Sequence, residues 1–297
     1  MITPPEAISC LCAWSDLLGF GVSLRKSGWD NIESVRQTLD RVIRLQQITV
    51  DTFCDTETVF MINDGIARNM DCKPERGLYR LMGWLRDVWR AHVEANQLEC
   101  QYAQPGLRTV LAAGSRFSYT SDDMTLEELI SARNPHFHGE NLSSIYQKKF
   151  LNRTGFYIPF EFQMNLAFAK AYALEALGSR GGLTGTRFFL DNSVIELFLS
   201  KLNGTEYQFI VGNGSQSKPV RVQSVTGATY RAIQILTPDP NGVYHENGFI
   251  ALDPEPISNE SSTLWSLRQV MYPFPRHLVP DIPDSSLYSS PMSIIRP

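Results

Sequence analysis

The sequence lacks the features that mark membrane and secreted proteins. No segment approaches the ~20 consecutive apolar residues that a membrane-spanning helix needs. The opening residues, MITPPEAISC, place no basic segment ahead of an apolar core, so they do not read as a secretory signal. We therefore expect a cytoplasmic protein with no membrane partner.

Positive charge and paired cysteines are also scarce. The 27 Lys and Arg residues are outnumbered by 31 Asp and Glu, which gives a net charge of -4, whereas nucleic-acid-binding proteins usually carry a basic excess. Five cysteines without a C-x-x-C pair indicate neither a disulfide framework nor a zinc ribbon. The remaining composition, 43% hydrophobic and 20% charged, is that of a globular protein, and we expect no nucleic-acid partner.

The first half of the chain carries clear periodic patterns. Alternating and 3.6-residue apolar repeats predict the following elements in order: strand 8–16, helix 31–53, strands 57–62 and 65–70, helix 75–96 and strand 107–113. Asp30 and Glu33 have the spacing of a capping box at the start of the first helix. This order favours an α+β fold with a ferredoxin-like, mostly antiparallel sheet and both helices on one face.

The second half is less regular. An insertion is predicted at about 117–160, followed by a helix over 161–177, a Gly-rich connection and the strand TRFFLD. Beyond residue 203 the sequence becomes irregular and β-leaning, with a Pro- and Ser-rich tail. We predict a domain over 1–202 and a C-terminal extension over 203–297, to which the sequence assigns no role.

Two aspartates lie where the predicted sheet would bring them together. Asp16 ends the first strand, although aspartate is disfavoured in strands and costly to bury unpaired, and Asp64 lies in the turn Asn63-Asp64-Gly65. If strand and hairpin share a sheet, the two carboxylates face each other and repel unless a cation lies between them. Mg²⁺ prefers one or two carboxylates plus phosphate oxygens. The alternatives are a turn cap at Asp16 and ordinary hairpin chemistry at Asp64.

Five stretches occur in an order that resembles a known family: WSDLLGFG, MINDGIA, GLRTVLAAGS, AKAYALEA and TRFFLD. In these stretches the chain is similar to the class III nucleotidyl cyclase catalytic domain, and in particular to the bacterial pyrimidine cyclases of the Pycsar anti-phage defence systems. The resemblance covers roughly residues 8 to 200.

The resemblance implies an activity and a metal site. Members of the family convert a nucleoside triphosphate to a 3′,5′-cyclic mononucleotide and pyrophosphate, here from UTP or CTP, as homodimers whose active sites form between subunits. Asp16 and Asp64 match the two metal-binding aspartates, and the backbone carbonyl of Leu17 would supply a further ligand to Mg²⁺ or Mn²⁺.

The residues that would stabilise the phosphate charge match the family's motifs less well. Arg108 matches the arginine of the fourth strand, although an arginine at such a place is more often a salt-bridge residue. Asn165 and Lys170 are the nearest candidates for an Asn/Arg pair on the last helix, with imperfect spacing. Glu175 belongs to a helix motif whose role the sequence does not give. A catalytically silent module that binds a nucleotide or a partner protein is therefore the alternative function.

Overall fold

A computed structural model describes residues 7–54, 57–72, 77–117, 162, 164–201, 209–210, 217–218, 221–258 and 262–271. The predicted insertion at about 117–160 lies outside the described residues, apart from residue 117, and so does the tail after residue 271. None of the helices in the described ranges is long and apolar enough to cross a membrane.

The elements of the first half follow the predicted order. They are β1 (Ala7–Leu17), α1 (Phe20–Ser27), α2 (Ile32–Asp51), β2 (Glu57–Ile62), β3 (Gly65–Asp71), α3 (Gly77–Gln101) and β4 (Leu107–Phe117). The predicted cap of α2 at Asp30 is wrong, because the side chain of Asn31 accepts the Ser34 N–H at 3.0 Å and so begins the helix one residue later. Helix α1 was not predicted.

The second half adds two helices and the rest of the sheet. The elements are α4 (Leu166–Ala176), β5 (Phe188–Asp191), α5 (Asn192–Glu196), β6 (Phe209–Ile210), β7 (Ser217–Lys218), β8 (Arg221–Thr226), β9 (Arg231–Pro238), β10 (Tyr244–Leu252), β11 (Ile257–Ser258) and β12 (Thr263–Met271). Helix α4 begins later than predicted, because Asn165 caps its first turn.

One sheet contains nearly all of these strands. Its order is β2-β3-β1-β4-β5-β12-β10-β9-β8, with β11 paired to β12. The first four strands form the predicted ferredoxin-like arrangement, in which β1 pairs antiparallel with both β3 and β4. The division into 1–202 and 203–297 stays a prediction, but β12 pairs with β5 and so joins the later strands to the same sheet.

The two faces of the sheet are covered by different helices. On one face, Leu17 and Leu107 of the sheet pack with Leu45 of α2 and Ala95 of α3. The helices predicted over 31–53 and 75–96 therefore do share a face. On the other face, the sheet residues Cys10, Cys12, Trp14 and Val110 pack with Ala167, Ala171 and Leu174 of α4. Asp16 alternates with Leu17 along β1, so its side chain points to the α4 side.

Candidate functional site

Asp16 lies near the end of the central strand. In the pairing register it stands opposite Gly65 on β3 and opposite Arg108 on β4. The next residue, Leu17, donates its backbone N–H to the carbonyl oxygen of Asp64 at 3.1 Å. The hairpin turn is therefore hydrogen-bonded to the end of β1, and Asp64 is held beside the strand that carries Asp16.

The turn itself depends on two small or permissive residues. Asn63 has a φ of 50°, in the left-handed region that asparagine tolerates better than most residues. Gly65 has no room for a side chain, since a Cβ there would lie 2.2 Å from the indole of Trp14. Trp14 precedes Asp16 by two residues and shares its face of the sheet, so the indole fixes the hairpin against the strand.

The pKa values of Asp16 and Asp64 are both raised, which indicates that nearby positive charge does not fully balance the two carboxylates. Burial, with the nearby carboxylates of Glu175 and Asp64, raises the pKa of Asp16 to about 7, although Arg108 acts in the opposite direction. Burial also raises the pKa of Asp64, against a backbone hydrogen bond and the charge of Arg41. Each carboxylate therefore gains from a cation placed nearby.

The donor set fits a hard divalent ion. Within the described ranges no group of three or more His, Cys, Asp or Glu side chains is arranged to hold a metal. A pair of carboxylates is nevertheless sufficient for Mg²⁺, which keeps waters and phosphate oxygens in its other positions. The backbone at Leu17 is fixed by its hydrogen bond to Asp64, while the use of its carbonyl as a ligand stays a prediction.

Arg108 lies beside Asp16 but is bound to other groups. Its Nε and Nη2 donate to Oε1 of Glu175 at 2.9 and 2.6 Å, and its Nη1 donates to the carbonyl oxygen of Leu183 at 2.7 Å. All three guanidinium nitrogens thus have protein acceptors. The sequence-based role of Arg108 at a phosphate stays a prediction, and the structure gives it a buried ion pair.

Asn165 and Lys170 also have structural partners. Asn165 accepts the Phe168 N–H at 2.8 Å as the N-cap of α4, and it donates to Oδ1 of Asn69 at 2.8 Å. Lys170 lies 2.6 Å from Oδ1 of Asp191, whose side chain is completely buried at the end of β5. Their predicted catalytic roles therefore remain untested.

Two residues to which the sequence assigned no role, Glu175 and Arg41, belong to the surroundings of the site. Glu175 neutralises Arg108 and adds negative charge near Asp16. Arg41 of α2 donates to Glu99 at 2.6 Å and to the carbonyl oxygen of Leu18, the residue that follows β1, at 3.0 Å. An arginine on the buried face of an amphipathic helix is the sequence signal that would have identified Arg41.

Comparisons with known proteins give structural similarity only. No family model and no curated protein matches the chain. Solved structures similar to it include the guanylyl cyclase Cya2, with 13% identity, 92% of this chain and 98% of that chain covered, and a TM-score of 0.41. The guanylyl cyclase domain of the RhoGC fusion protein from the aquatic fungus Blastocladiella emersonii has 9% identity, 91% and 99% coverage, and a TM-score of 0.42.

A third similar structure is a bacterial light-regulated adenylyl cyclase. Its identity is 15%, the match covers 65% of this chain and 46% of that chain, and the TM-score is 0.37. All three TM-scores lie below 0.5, so we base the function on the motifs and on the geometry of the chain's own residues.

Proposed function

We propose that the chain is a metal-dependent nucleotidyl cyclase. The observation that carries the proposal is the apposition of two half-buried carboxylates, Asp16 and Asp64, at the end of a central strand and its neighbouring turn. The motif order that resembles the class III cyclases supports the same activity. That activity is the conversion of a nucleoside triphosphate to a 3′,5′-cyclic mononucleotide and pyrophosphate.

The chain's own residues supply an oxygen-rich site for Mg²⁺ or Mn²⁺. Asp16 and Asp64 would hold the ion, with the Leu17 carbonyl as a further ligand. When bound, such an ion lowers the pKa of an attacking hydroxyl and offsets the charge of the phosphates. Glu175 is ion-paired with Arg108 and still adds negative charge near Asp16, which favours a cation there.

The proposed reaction is an intramolecular displacement at phosphorus. The 3′-oxygen of the nucleotide forms a bond to the α-phosphorus, the bond from that phosphorus to the bridging oxygen breaks, and pyrophosphate leaves. The 3′-hydroxyl proton passes to solvent. Arg108, Lys170 and Asn165 would steady the phosphate charge, which requires each to exchange a partner that it has in the structure.

The finer assignments rest on the sequence resemblance alone. We propose a pyrimidine nucleotide, UTP or CTP, as the substrate, and a cytoplasmic signalling role in bacterial anti-phage defence for the cyclic product. Both assignments follow from the likeness to the Pycsar branch.

Helix α4 supports a homodimer. Its outward positions are apolar or small: Leu166, Ala169, Tyr172, Ala173, Ala176 and Leu177. The opposite side of the helix packs on the sheet with Ala167, Ala171 and Leu174. Apart from Lys170 and Glu175, which are held in ion pairs, α4 is apolar on every side. Such a helix is normally buried, and α4 lies on the same face of the sheet as Asp16. A second copy of the chain against α4 would bury it and close the site.

The alternative function is a cyclase-like module that binds nucleotide or protein without turnover. It is favoured by the partners that Arg108, Asn165 and Lys170 already have. A cyclase needs groups that steady phosphate charge, and the three candidates are all engaged elsewhere.

Product analysis separates the two functions. The chain is incubated with ATP, GTP, CTP and UTP in turn with Mn²⁺, and the products are identified by mass spectrometry. We expect a cyclic pyrimidine nucleotide from the wild type and none from Asp16→Ala. Binding of nucleotide without any cyclic product would support the silent module instead.

A further inference from the structure

Helix α2 has an apolar surface on the side that faces away from the sheet. Its inner side is buried through Thr38, Arg41, Leu45 and Thr49. The outer side and its flanks expose six large apolar side chains, each more than half accessible: Trp29, Ile32, Leu39, Ile43, Val50 and Phe53. We call these six residues the α2 stripe.

The α2 stripe runs along the helix, with the exposed polar residues Arg36 and Gln46 beside it. At 100° per residue, Ile32, Leu39, Ile43 and Val50 fall within about 20° of a single line. Ile32 and Val50 are 74% and 63% exposed, so the apolar surface extends over the full length of α2. A surface helix normally carries polar residues opposite its core face, and α2 departs from that rule along this line.

The size of the α2 stripe is that of an interface. From their exposed fractions, the six residues together expose on the order of 700 Å², against the ~300–600 Å² of the largest apolar patch on a typical monomer. A standard protein interface buries ~800 Å² on each partner. The stripe therefore has nearly enough apolar area for one stable contact.

The spacing of the α2 stripe identifies the partner. Its residues lie at equal distances on either side of position 41: Leu39 and Ile43 by two residues, Ile32 and Val50 by nine, Trp29 and Phe53 by twelve. A two-fold interface requires a patch that is complementary to itself. Two antiparallel copies of α2, related by a two-fold axis at position 41, would satisfy this requirement. Each residue of the stripe would then contact a stripe residue of the other copy.

We propose that the α2 stripe is a self-association surface, on which α2 packs antiparallel against α2 of a second copy of this chain. The pairs across the axis are Leu39 with Ile43, Ile32 with Val50, and Trp29 with Phe53. The α2 stripe and α4 lie on opposite faces of the sheet, so this contact is separate from the one proposed for α4. A chain that uses both surfaces forms an assembly larger than a dimer.

Sedimentation velocity of the full chain tests the contact. Leu39→Glu places a charge at the centre of the α2 stripe and is expected to reduce the mass of the assembly at least twofold. Gln37→Lys, an exposed change on the same helix outside the stripe, is the control and should keep the wild-type mass. Circular dichroism checks that both variants fold. An unchanged mass in Leu39→Glu would overturn the proposal, whether or not the chain is a cyclase.

Disulfide formation tests the orientation. In a background in which Cys54 and Cys100 are replaced by serine, Ile32→Cys and Val50→Cys proteins are prepared separately, mixed and oxidised. Antiparallel packing predicts a linked pair in the mixture and no linked pair from Ile32→Cys alone, because its two copies would lie about 27 Å apart. Linkage of Ile32→Cys to itself would contradict the antiparallel arrangement.

Discussion

The raised pKa of Asp16 leads to a prediction about stability and pH in metal-free protein. A pKa raised from 3.8 to about 7 means that ionised Asp16 is unfavourable in the folded state. The full shift corresponds to about 4 kcal/mol, which solvent screening at this partly exposed residue reduces to about 2 kcal/mol. The variant Asp16→Asn has no carboxyl group there and avoids this cost.

The sign of the effect follows from linkage. Below about pH 3, Asp16 is protonated in both the folded and the unfolded chain, so its ionisation costs wild type no stability relative to Asp16→Asn, and at pH 4 the cost is still small. As the pH rises from 4 to 7, the unfolded chain releases the proton before the folded chain does, and wild type loses stability. At pH 8 we expect Asp16→Asn to melt higher than wild type by about 4–8 °C, at about 2–4 °C per kcal/mol.

Thermal melts in EDTA from pH 4 to pH 8 measure this difference. In a second series at pH 8, Mn²⁺ at 100 times its dissociation constant should stabilise wild type by about 2.7 kcal/mol and so raise its melting temperature. The melting temperature of Asp16→Asn should not change. An advantage of Asp16→Asn that is the same at pH 4 and pH 8 would refute the reasoning, and so would a lower melting temperature at pH 8.

Three further predictions concern buried charged or titratable groups and can be checked by urea unfolding. Burial lowers the pKa of His92 to about 4, so the stability that neutral His92 contributes should fall by about 3 kcal/mol between pH 6.5 and pH 4, and His92→Gln should lose this dependence. Burial tends to raise the pKa of Asp191, but hydrogen bonds from Lys170 and two serines outweigh it and lower the pKa. Lys170→Met should therefore reduce the free energy of unfolding by about 1 kcal/mol at pH 7 and by less below pH 4. An equal reduction at both pH values would contradict this. Arg108→Met should cost about 3–5 kcal/mol, because it leaves Glu175 buried without its cation, and the double variant with Glu175→Leu should recover most of it.

Local patterns were sufficient to predict the half of the fold that holds the candidate metal site. Strand β1, the hairpin and helices α2 and α3 each carry a strong period of 2 or 3.6 residues, and their order alone selects the ferredoxin-like pairing. The cap of α2 was misplaced by one residue because Asp30 and Asn31 are both good caps, and only the hydrogen bond to Ser34 distinguishes them. Helix α1 has eight residues and follows a glycine, so its pattern is too short to recognise.

Contacts between distant residues could not be predicted from the sequence. Arg108 and Glu175 are 67 residues apart, and their ion pair depends on how α4 crosses the sheet. The pairing of β12 with β5 likewise joins segments about 75 residues apart. The sequence therefore identified Asp16 and Asp64, whose positions follow from a short hairpin. It named Arg108 and Glu175 but missed their ion pair, and it missed Arg41.

Direct measurement of metal binding tests the central claim that Asp16 and Asp64 hold a divalent cation together. Mn²⁺ is titrated into wild type, Asp16→Asn, Asp64→Asn and the control Asp87→Asn, and free Mn²⁺ is followed by electron paramagnetic resonance. We expect wild type and Asp87→Asn to bind with equal affinity, and each site variant to bind at least tenfold more weakly. Wild-type affinity in the double variant Asp16→Asn/Asp64→Asn would contradict the account.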